Sequence, residues 1–219
     1  MARRVINIDI VSDTICPFCF LGKRRLEKGF KLLNANGDDV GYNITWHPYQ
    51  LDPGLPKEGI PKLQYYEQKF GKEAAKRMPA RMIATGQEDG VQFKYDGAIV
   101  ANTLDSHRLI NYVQKRGDAQ KTNELVEELF TGHFENAKHI GDHGALADVA
   151  AKVGFNRSEV LAYLASDAGR EEVVSEISSL SRRGIRGVPH ITFEKKYVVS
   201  GAQPPEVFAE LIGEILEKA

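Results

Sequence analysis

Two cysteines constrain this chain more than any other feature. Cys16 and Cys19 are its only cysteines, and they lie where an apolar strand pattern gives way to a helix pattern. A pair at positions i and i+3 in the first turn of a helix can close a disulfide, because its Cα atoms fall inside the bonding window of about 4.4–6.8 Å. The N–H groups and positive dipole of a helix N-terminus favour the thiolate of the first cysteine. Pro17 suits that turn, because the N–H group that it lacks has no helical partner there. The spacing predicts a dithiol that attacks a disulfide and then resolves the mixed disulfide.

Two other interpretations of the pair stay open, half of a zinc site and two inert buried thiols. Zinc takes four protein ligands, or three and a water. The chain has no second cysteine pair, so zinc would recruit distant histidines. His139 and His143 are four residues apart, but Gly141 and Gly144 indicate a loop in which Asp142 caps the next helix. Redox chemistry is therefore the prediction, and no metal is expected.

The composition is typical of a globular protein. Hydrophobic residues make up 42% and charged residues 27% of 219, enough for a sizeable core. A net charge of −1 gives no footprint for nucleic acid or an anionic membrane. The run after Arg3-Arg4 is too short and polar for a signal peptide, and no stretch approaches the roughly 18 apolar residues of a membrane span. Two cysteines make no disulfide framework. We expect a cytoplasmic protein with no nucleic-acid or membrane partner.

The first fifty residues carry the pattern of a β-α-β unit. Residues 5–11 are short and β-branched, which predicts a strand. The helix that begins at the cysteines keeps one apolar face and is expected to stop at Gly37. Residues 42–49 alternate like a second strand, which Pro48 ends or places at a sheet edge.

A helical block follows a linker rich in proline and glycine at residues 51–61. Beyond it the chain has almost no strand signal. Asp142 and Ser158 are expected as helix N-caps, and Gly117 and Gly154 as stops. Helical periodicity predicts helices over residues 62–85, 98–116, 119–136, 144–153, 158–165 and 168–183.

The chain then returns to strand chemistry. Residues 187–193 and 197–200 predict a hairpin with its turn at Lys195-Lys196, followed by an amphipathic helix that starts at Pro204-Pro205. Added to the β-α-β unit, these elements give a four-stranded sheet of thioredoxin type. The predicted fold class is α/β, a thioredoxin fold (β-α-β plus β-hairpin-α) with a large inserted α-helical subdomain. Residues 1–55 and 184–219 are assigned to the thioredoxin part and residues 56–183 to the insert.

Three features together resemble the DsbA-like branch of the thioredoxin superfamily. They are Cys16-Pro17-Phe18-Cys19 after the first strand, the long helical insertion, and Gly187-Val188-Pro189 before the hairpin. Within that branch the sequence most resembles the FrnE-like thiol-disulfide oxidoreductases. The matching stretches are residues 9–21, 106–109 and 187–203, and the resemblance covers nearly the whole chain.

The resemblance implies roles for individual residues. Cys16 would be the exposed nucleophile and Cys19 the resolving thiol. Pro189 would be a cis-proline that faces the cysteines, and the backbone of Val188 would hydrogen-bond a bound peptide or thiol. His107 would face the same site. The cysteines carry the electrons themselves, so the only cofactor expected is the Cys16–Cys19 disulfide, with a protein or glutathione as thiol or disulfide partner.

The dipeptide between the cysteines, Pro17-Phe18, is expected to tune the potential. Oxidising members of the wider group often carry His at the position of Phe18, where it stabilises the thiolate. Phe18 donates no hydrogen bond, so the reduced form is less stabilised and the potential is lower. We therefore expect a weaker oxidant, working as a reductase or isomerase.

Two alternative functions remain. Kappa-class glutathione transferases and 2-hydroxychromene-2-carboxylate isomerases resemble this chain in layout, but they typically have Ser where Cys16 stands and use bound glutathione. A peptide-binding chaperone with a purely structural disulfide is the other alternative. Reactivity separates them, because a structural disulfide has a very low potential and exchanges slowly.

Overall fold

The computed structural model describes residues 4–35, 37 and 39–218, and this part of the chain forms six strands and nine helices. In chain order they are β1 (Arg4–Ser12), α1 (Pro17–Ala35), β2 (Val40–Pro48), β3 (Ile60–Pro61), α2 (Lys62–Phe70), α3 (Lys72–Asp89), β4 (Ile99–Val100), α4 (Leu104–Arg116), α5 (Ala119–Phe134), α6 (His143–Lys152), α7 (Arg157–Ala165), α8 (Arg170–Arg182), β5 (His190–Phe193), β6 (Tyr197–Ser200) and α9 (Pro205–Glu217).

The central sheet has the strand order β2-β1-β5-β6. β1 and β2 run parallel, with Ile8 opposite Ile44, so α1 is the crossover helix between them. β5 is antiparallel to β1, and β6 is antiparallel to β5. Pro48 ends the edge strand β2, where a missing N–H group is tolerated. The predicted thioredoxin sheet is confirmed.

The helices α1 and α9 pack closely together beside this sheet. A Cβ atom on Gly29 of α1 would lie 2.9 Å from Cβ of Phe208 in α9, so a larger residue would push the two helices apart. Phe208 is fully buried and its ring lies 6.3 Å from that of Phe193 in β5. This contact joins the C-terminal helix to the sheet.

The helical insert shares one buried core with the thioredoxin part. Helices α4, α5 and α8 contact the edge strand β2. Phe20 of α1 stacks on Phe130 and Phe134 of α5, with ring centroids 5.3 and 5.9 Å apart. All three rings are completely buried. The inserted helices are therefore packed against the helix that begins at the cysteines.

Three details of the helical block differ from the sequence-based expectation. The helix expected over residues 62–85 is two helices, because Gly71 adopts a left-handed φ of +81° between them. The helix expected from residue 98 begins at Leu104, and β4 pairs with β3 just before it. Asn156 caps α7 in place of Ser158, because its Oδ1 accepts the N–H groups of Ser158 and Glu159. The predicted cap at Asp142 is confirmed, since its Oδ1 accepts the N–H of Ala145.

Across the part of the chain that the structure describes, every helix is too short or too polar to cross a membrane. Arg3, the first half of the arginine pair considered above, lies outside the described residues.

Candidate active site

The cysteine motif occupies the junction between β1 and α1. The N–H of Cys16 donates to the carbonyl of Asp13 (3.0 Å), which closes a tight turn after the strand. The carbonyl of Cys16 accepts the N–H groups of Cys19 (3.1 Å) and Phe20 (3.4 Å), the first bonds of the helix. Cys16 thus lies immediately before the first helical residue, where free N–H groups and the helix dipole favour negative charge.

Burial affects the ionisation of Cys19. Both are free and buried, with Cys16 3% and Cys19 2% exposed. Burial raises the pKa of Cys19 well above its ordinary value, and the hydrogen bond to Cys16 and its charge act in the same direction. The hydroxyl of Ser12 and the backbone of Asp13 oppose this pKa shift only in part. Cys19 is therefore difficult to deprotonate.

Cys16 is not exposed, contrary to what the resemblance implies. Its Sγ lies 3.8 Å from the carbonyl oxygen of Val188, which accepts a weak bond from the thiol. Tyr66 of α2 in the insert is close enough for the charge of Cys16 to affect its pKa. Burial raises the pKa of Tyr66, and the charges of Tyr95 and Cys16 raise it further. Cys16 is thus buried next to the loop before β5, whereas the resemblance implies an exposed thiol.

Val188 and Pro189 lie beside the cysteine helix, and the peptide bond between them is cis. The Pro189 ring packs so closely on α1 that a Cβ atom on Gly22 would come within 3.0 Å of its Cγ. On the other side, the carbonyl of Pro189 accepts the N–H of Gly201 (2.9 Å). The segment is thereby held between α1 and the turn after β6.

His107 supports the site from below. It is 4% exposed on α4, and its Nε2 donates to the carbonyl of Tyr49 (2.7 Å). The same nitrogen lies 3.5 Å from Oδ1 of Asp13, whose Oδ2 accepts the N–H of Leu51 (2.7 Å). The hydrogen bond to Tyr49 ties α4 to the end of β2, whereas Oδ1 of Asp13 is buried without a hydrogen-bond partner among the described residues. His107 therefore lies next to Asp13, three residues before Cys16, and its described hydrogen bonds do not reach the sulfurs.

Asp13 and Ser106 are site residues that sequence reasoning did not identify. Asp13 is completely buried, and Oγ1 of the adjacent Thr14 lies 2.8 Å from the Ser106 hydroxyl. An acid three residues before a Cys-x-x-Cys motif is a recognisable signal. Acidic side chains are almost never fully buried unless they are paired. Its partners, however, come from segments far away in sequence.

A buried lysine lies one helical turn before Tyr66. Lys62 is 2% exposed, and its Nζ has no hydrogen-bond partner among the residues that the structure describes. The ammonium group lies 4.9 Å from the ring centroid of Tyr95 and 4.7 Å from that of Phe134. Burial lowers the pKa of Lys62 to about 8. The two aromatic faces are thus the main compensation for the lost hydration of this cation.

His139 and His143 are bound to groups other than the cysteines. His139 donates to the carbonyl of Glu58 (2.8 Å), and His143 contacts Oδ2 of Asp105 (2.8 Å). Among the described residues, no group of three or more His, Cys, Asp or Glu side chains could hold a metal ion. Burial and the charge of Arg183 lower the pKa of His190.

Phe18, between the two cysteines in sequence, is 50% exposed.

Several solved structures share this fold. A probable DsbA oxidoreductase, SCO1869 from Streptomyces coelicolor, is 28% identical and superposes with a TM-score of 0.82 over 98% of this chain and 91% of its own. A 2-hydroxychromene-2-carboxylate isomerase is 16% identical, with a TM-score of 0.71 over 97% of both chains. The cytosolic disulfide reductase DsbM from Pseudomonas aeruginosa is 13% identical, with a TM-score of 0.63 over 97% of this chain and 100% of its own, and it has also been solved with GSH.

The family assignment comes from the sequence itself. The model of the DSBA-like thioredoxin domain matches residues 7–213, from the first strand to the last helix. The matched range includes both cysteines, the whole helical insert and the Val188–Pro189 segment. The chain therefore belongs to the DSBA-like thioredoxin domain family.

Proposed function

We propose that this protein is a thiol-disulfide oxidoreductase of the FrnE-like type, in which Cys16 attacks and Cys19 resolves. The observation that carries the proposal is the asymmetry of the two thiols. Cys16 lies at the N-terminus of α1 beside the backbone of Val188, whereas the buried Cys19 has a raised pKa. A dithiol that ionises one sulfur at a time is what two-step disulfide exchange requires.

The reaction balances with the two cysteines alone. The Cys16 thiolate attacks one sulfur of a substrate disulfide, an S–S bond forms to Cys16, and the other substrate sulfur leaves as a thiolate that takes up a proton. Cys19 then loses its proton and attacks Sγ of Cys16. The Cys16–Cys19 disulfide forms and the second substrate thiolate leaves. The substrate gains two electrons, the dithiol loses two, and the reverse sequence oxidises a substrate dithiol.

The substrate is a protein disulfide or a small thiol such as glutathione, and we place the reaction in the cytoplasm. The solved cytosolic disulfide reductase with bound GSH supports both proposals. In this chain, the cis Val188–Pro189 segment next to Cys16 presents backbone groups to a substrate of either kind. The dipeptide Pro17-Phe18 supplies no thiolate donor, which favours reduction or isomerisation over strong oxidation.

A redox titration in glutathione buffers tests this function. The oxidation state of Cys16 and Cys19 is scored by thiol alkylation and mass. We expect a midpoint near those of thioredoxin or glutaredoxins, about −270 to −200 mV, with fast exchange. Cys16→Ser should abolish exchange, and Cys19→Ser should accumulate a mixed disulfide at Cys16. A very low potential with slow exchange would contradict the proposal and favour a peptide-binding protein with a structural disulfide.

A glutathione-dependent isomerase or transferase is the second candidate. The fold shared with 2-hydroxychromene-2-carboxylate isomerase over 97% of both chains favours it. Its chemistry would use the sulfur of bound glutathione, so it would not need a second protein thiol. A Cys16→Ser variant that keeps full glutathione-dependent activity would support this candidate against the oxidoreductase.

A further inference from the structure

Arg25 lies on α1, more than two turns beyond Cys16, and joins two distant parts of the fold. Its Nε donates to Oδ2 of Asp89 (2.7 Å), the last residue of α3 in the insert. Its Nη1 donates to the carbonyl of Ala202 (2.6 Å), in the turn after β6. The Asp89 side chain is 5% exposed and that of Arg25 18%, so both groups are largely withdrawn from water. The planar guanidinium can hold both partners at once.

The turn that Arg25 holds is the one that supports Pro189. The N–H of Gly201, one residue before Ala202, donates to the carbonyl of Pro189 (2.9 Å). Gly22 marks how tightly these parts meet, because a Cβ atom there would lie 3.0 Å from Cγ of Pro189 and 3.7 Å from Cα of Ala202. Ala202 and Pro189 therefore rest side by side on the same glycine of α1, and a shift of one displaces the other.

We propose that Arg25 is a positioning residue for substrate binding: it fixes the Gly201–Ala202 turn and, through that turn, sets the distance of Val188–Pro189 from Cys16. The inference rests on the proposed function, since Val188–Pro189 is taken as the segment that binds substrate. The bond to Asp89 orients the guanidinium for its second bond to Ala202. Through this bond, the end of α3 in the insert also helps to hold the Val188–Pro189 segment in place.

Lys28 offers a matched control. It is on the same helix, its Nζ lies 3.2 Å from Oδ1 of the same Asp89, and it donates to the carbonyl of Glu88 (2.9 Å). It has no described hydrogen bond to the turn after β6. Lys28→Met thus removes a cation from Asp89 without releasing Ala202, whereas Arg25→Met removes a cation and releases the turn.

The test compares Arg25→Met with Lys28→Met by two measurements. Amide hydrogen exchange at Gly201 reports the turn directly and needs no activity. We expect exchange there to rise about tenfold more in Arg25→Met, the size expected when a hydrogen bond to a charged group is lost. In disulfide exchange with a glutathionylated peptide, KM should rise by a similar factor in Arg25→Met alone, while kcat and the midpoint potential stay within about twofold and about 10 mV of Lys28→Met.

Each outcome decides a different claim. Equal Gly201 exchange in the two variants, or faster exchange with unchanged KM, would overturn the role of Arg25 and leave the proposed function standing. A wild-type protein without disulfide exchange would overturn the proposed function, and the substrate role of Arg25 with it. If Arg25→Met does not fold, Arg25→Lys is compared instead. Arg25→Lys keeps a cation beside Asp89 but lacks the guanidinium that bonds Asp89 and Ala202 together. Gly201 exchange and KM are therefore again expected to exceed those of Lys28→Met.

Discussion

At the level of single residues, the chemistry depends on which of two neighbouring sulfurs carries the charge. Cys19 is disfavoured as a thiolate by burial and by Cys16, and the start of α1 favours charge on Cys16. Phe18 is half exposed between them and adds no hydrogen-bond donor. Phe18 thus leaves the stabilisation of the reduced form to the helix terminus and the backbone, and we therefore expect a less oxidising dithiol.

Phe18→His should raise the reduction potential. An imidazole at this exposed position can donate a hydrogen bond to the thiolate of Cys16, which stabilises the reduced form. One such bond of about 1.4 kcal/mol corresponds to about 30 mV. The measurement is the midpoint in glutathione buffers, with Phe18→Leu as a control that removes the ring and adds no donor. An unchanged midpoint in Phe18→His would show that the dipeptide does not set the potential.

Lys62→Met should stabilise the protein. The pKa of Lys62 is about 8 when folded against an ordinary value of 10.5, so the unfolded chain binds more protons between these pH values. The buried charge therefore lowers the free energy of unfolding by its full amount below pH 8, and this loss disappears as pH rises towards 10.5. The pKa shift corresponds to a loss of about 3 kcal/mol at pH 7.

Urea unfolding at pH 7 and pH 10 measures this effect. The free energy of unfolding of Lys62→Met should exceed that of the wild type by about 1–3 kcal/mol at pH 7, with a smaller excess at pH 10. Lys76→Met removes a lysine whose side chain is 68% exposed, and it should leave both values almost unchanged. A Lys62→Met protein that is less stable at pH 7 would mean that the cation–aromatic contacts outweigh the loss of hydration.

At the level of elements, one buried arginine joins α4 to the end of α7 and the loop that follows it. Arg108 of α4 is 1% exposed, and its guanidinium donates to the carbonyls of residues 163, 164, 166 and 168 at the end of α7 and the start of the next loop. Its charge is matched by Asp105, 2.8 Å away on the same helix. The carbonyls left unpaired at a helix end thus find donors from another helix.

Arg108→Met should therefore destabilise the fold strongly. It removes the Arg108 donor from several buried carbonyls and from Oδ1 of Asp105, although Lys57 and His143 still contact Oδ2. Breaking one partner of a buried pair costs about 3–5 kcal/mol. Arg116→Met is the matched control on the same helix, because Arg116 lies over the Tyr112 ring at 3.9 Å and should contribute about 1 kcal/mol or less. Thermal unfolding followed by circular dichroism would reveal the difference. Equal losses in the two variants would contradict the role given to Arg108.

Elements that depend on local sequence signals were predicted correctly, whereas those that depend on contacts between residues far apart in sequence were not. The sheet, α1 and α9 were predictable, because strand alternation and a helical stripe are local signals. The break at Gly71 and the two-residue pairing of β3 with β4 depend on a single left-handed residue and on a contact across some forty residues. For the same reason Lys62 and Arg108 look in sequence like ordinary surface cations. Only the packed helices reveal that both are buried.

At the level of the whole molecule, the insert and the thioredoxin part meet at a core that contains titratable groups. Phe134 of α5 packs on Phe20 of α1 and lies beside His133 and Lys62. Burial and the charge of Lys62 lower the pKa of His133 to about 3. A second histidine, His47 of β2, contacts Asp9 (2.9 Å) and Glu176 (2.6 Å). Burial alone would lower the pKa of His47. The two carboxylates raise it by more than burial lowers it, so the net shift of the pKa is upward.

These two histidines should affect acid stability in opposite directions. The folded pKa of His133 is below its ordinary 6.5, so the unfolded chain binds more protons and stability falls with pH from 6.5 towards 3, by about 3 kcal/mol at pH 4. The folded pKa of His47 is raised, so its stabilisation is full below pH 6.5 and is lost as pH rises through the folded pKa. Urea unfolding at pH 7 and pH 4 should therefore show a smaller acid loss in His133→Phe than in the wild type, and a larger one in His47→Gln. If His133→Phe loses as much stability as the wild type, the acid sensitivity of this fold does not come from the buried histidine between its two parts.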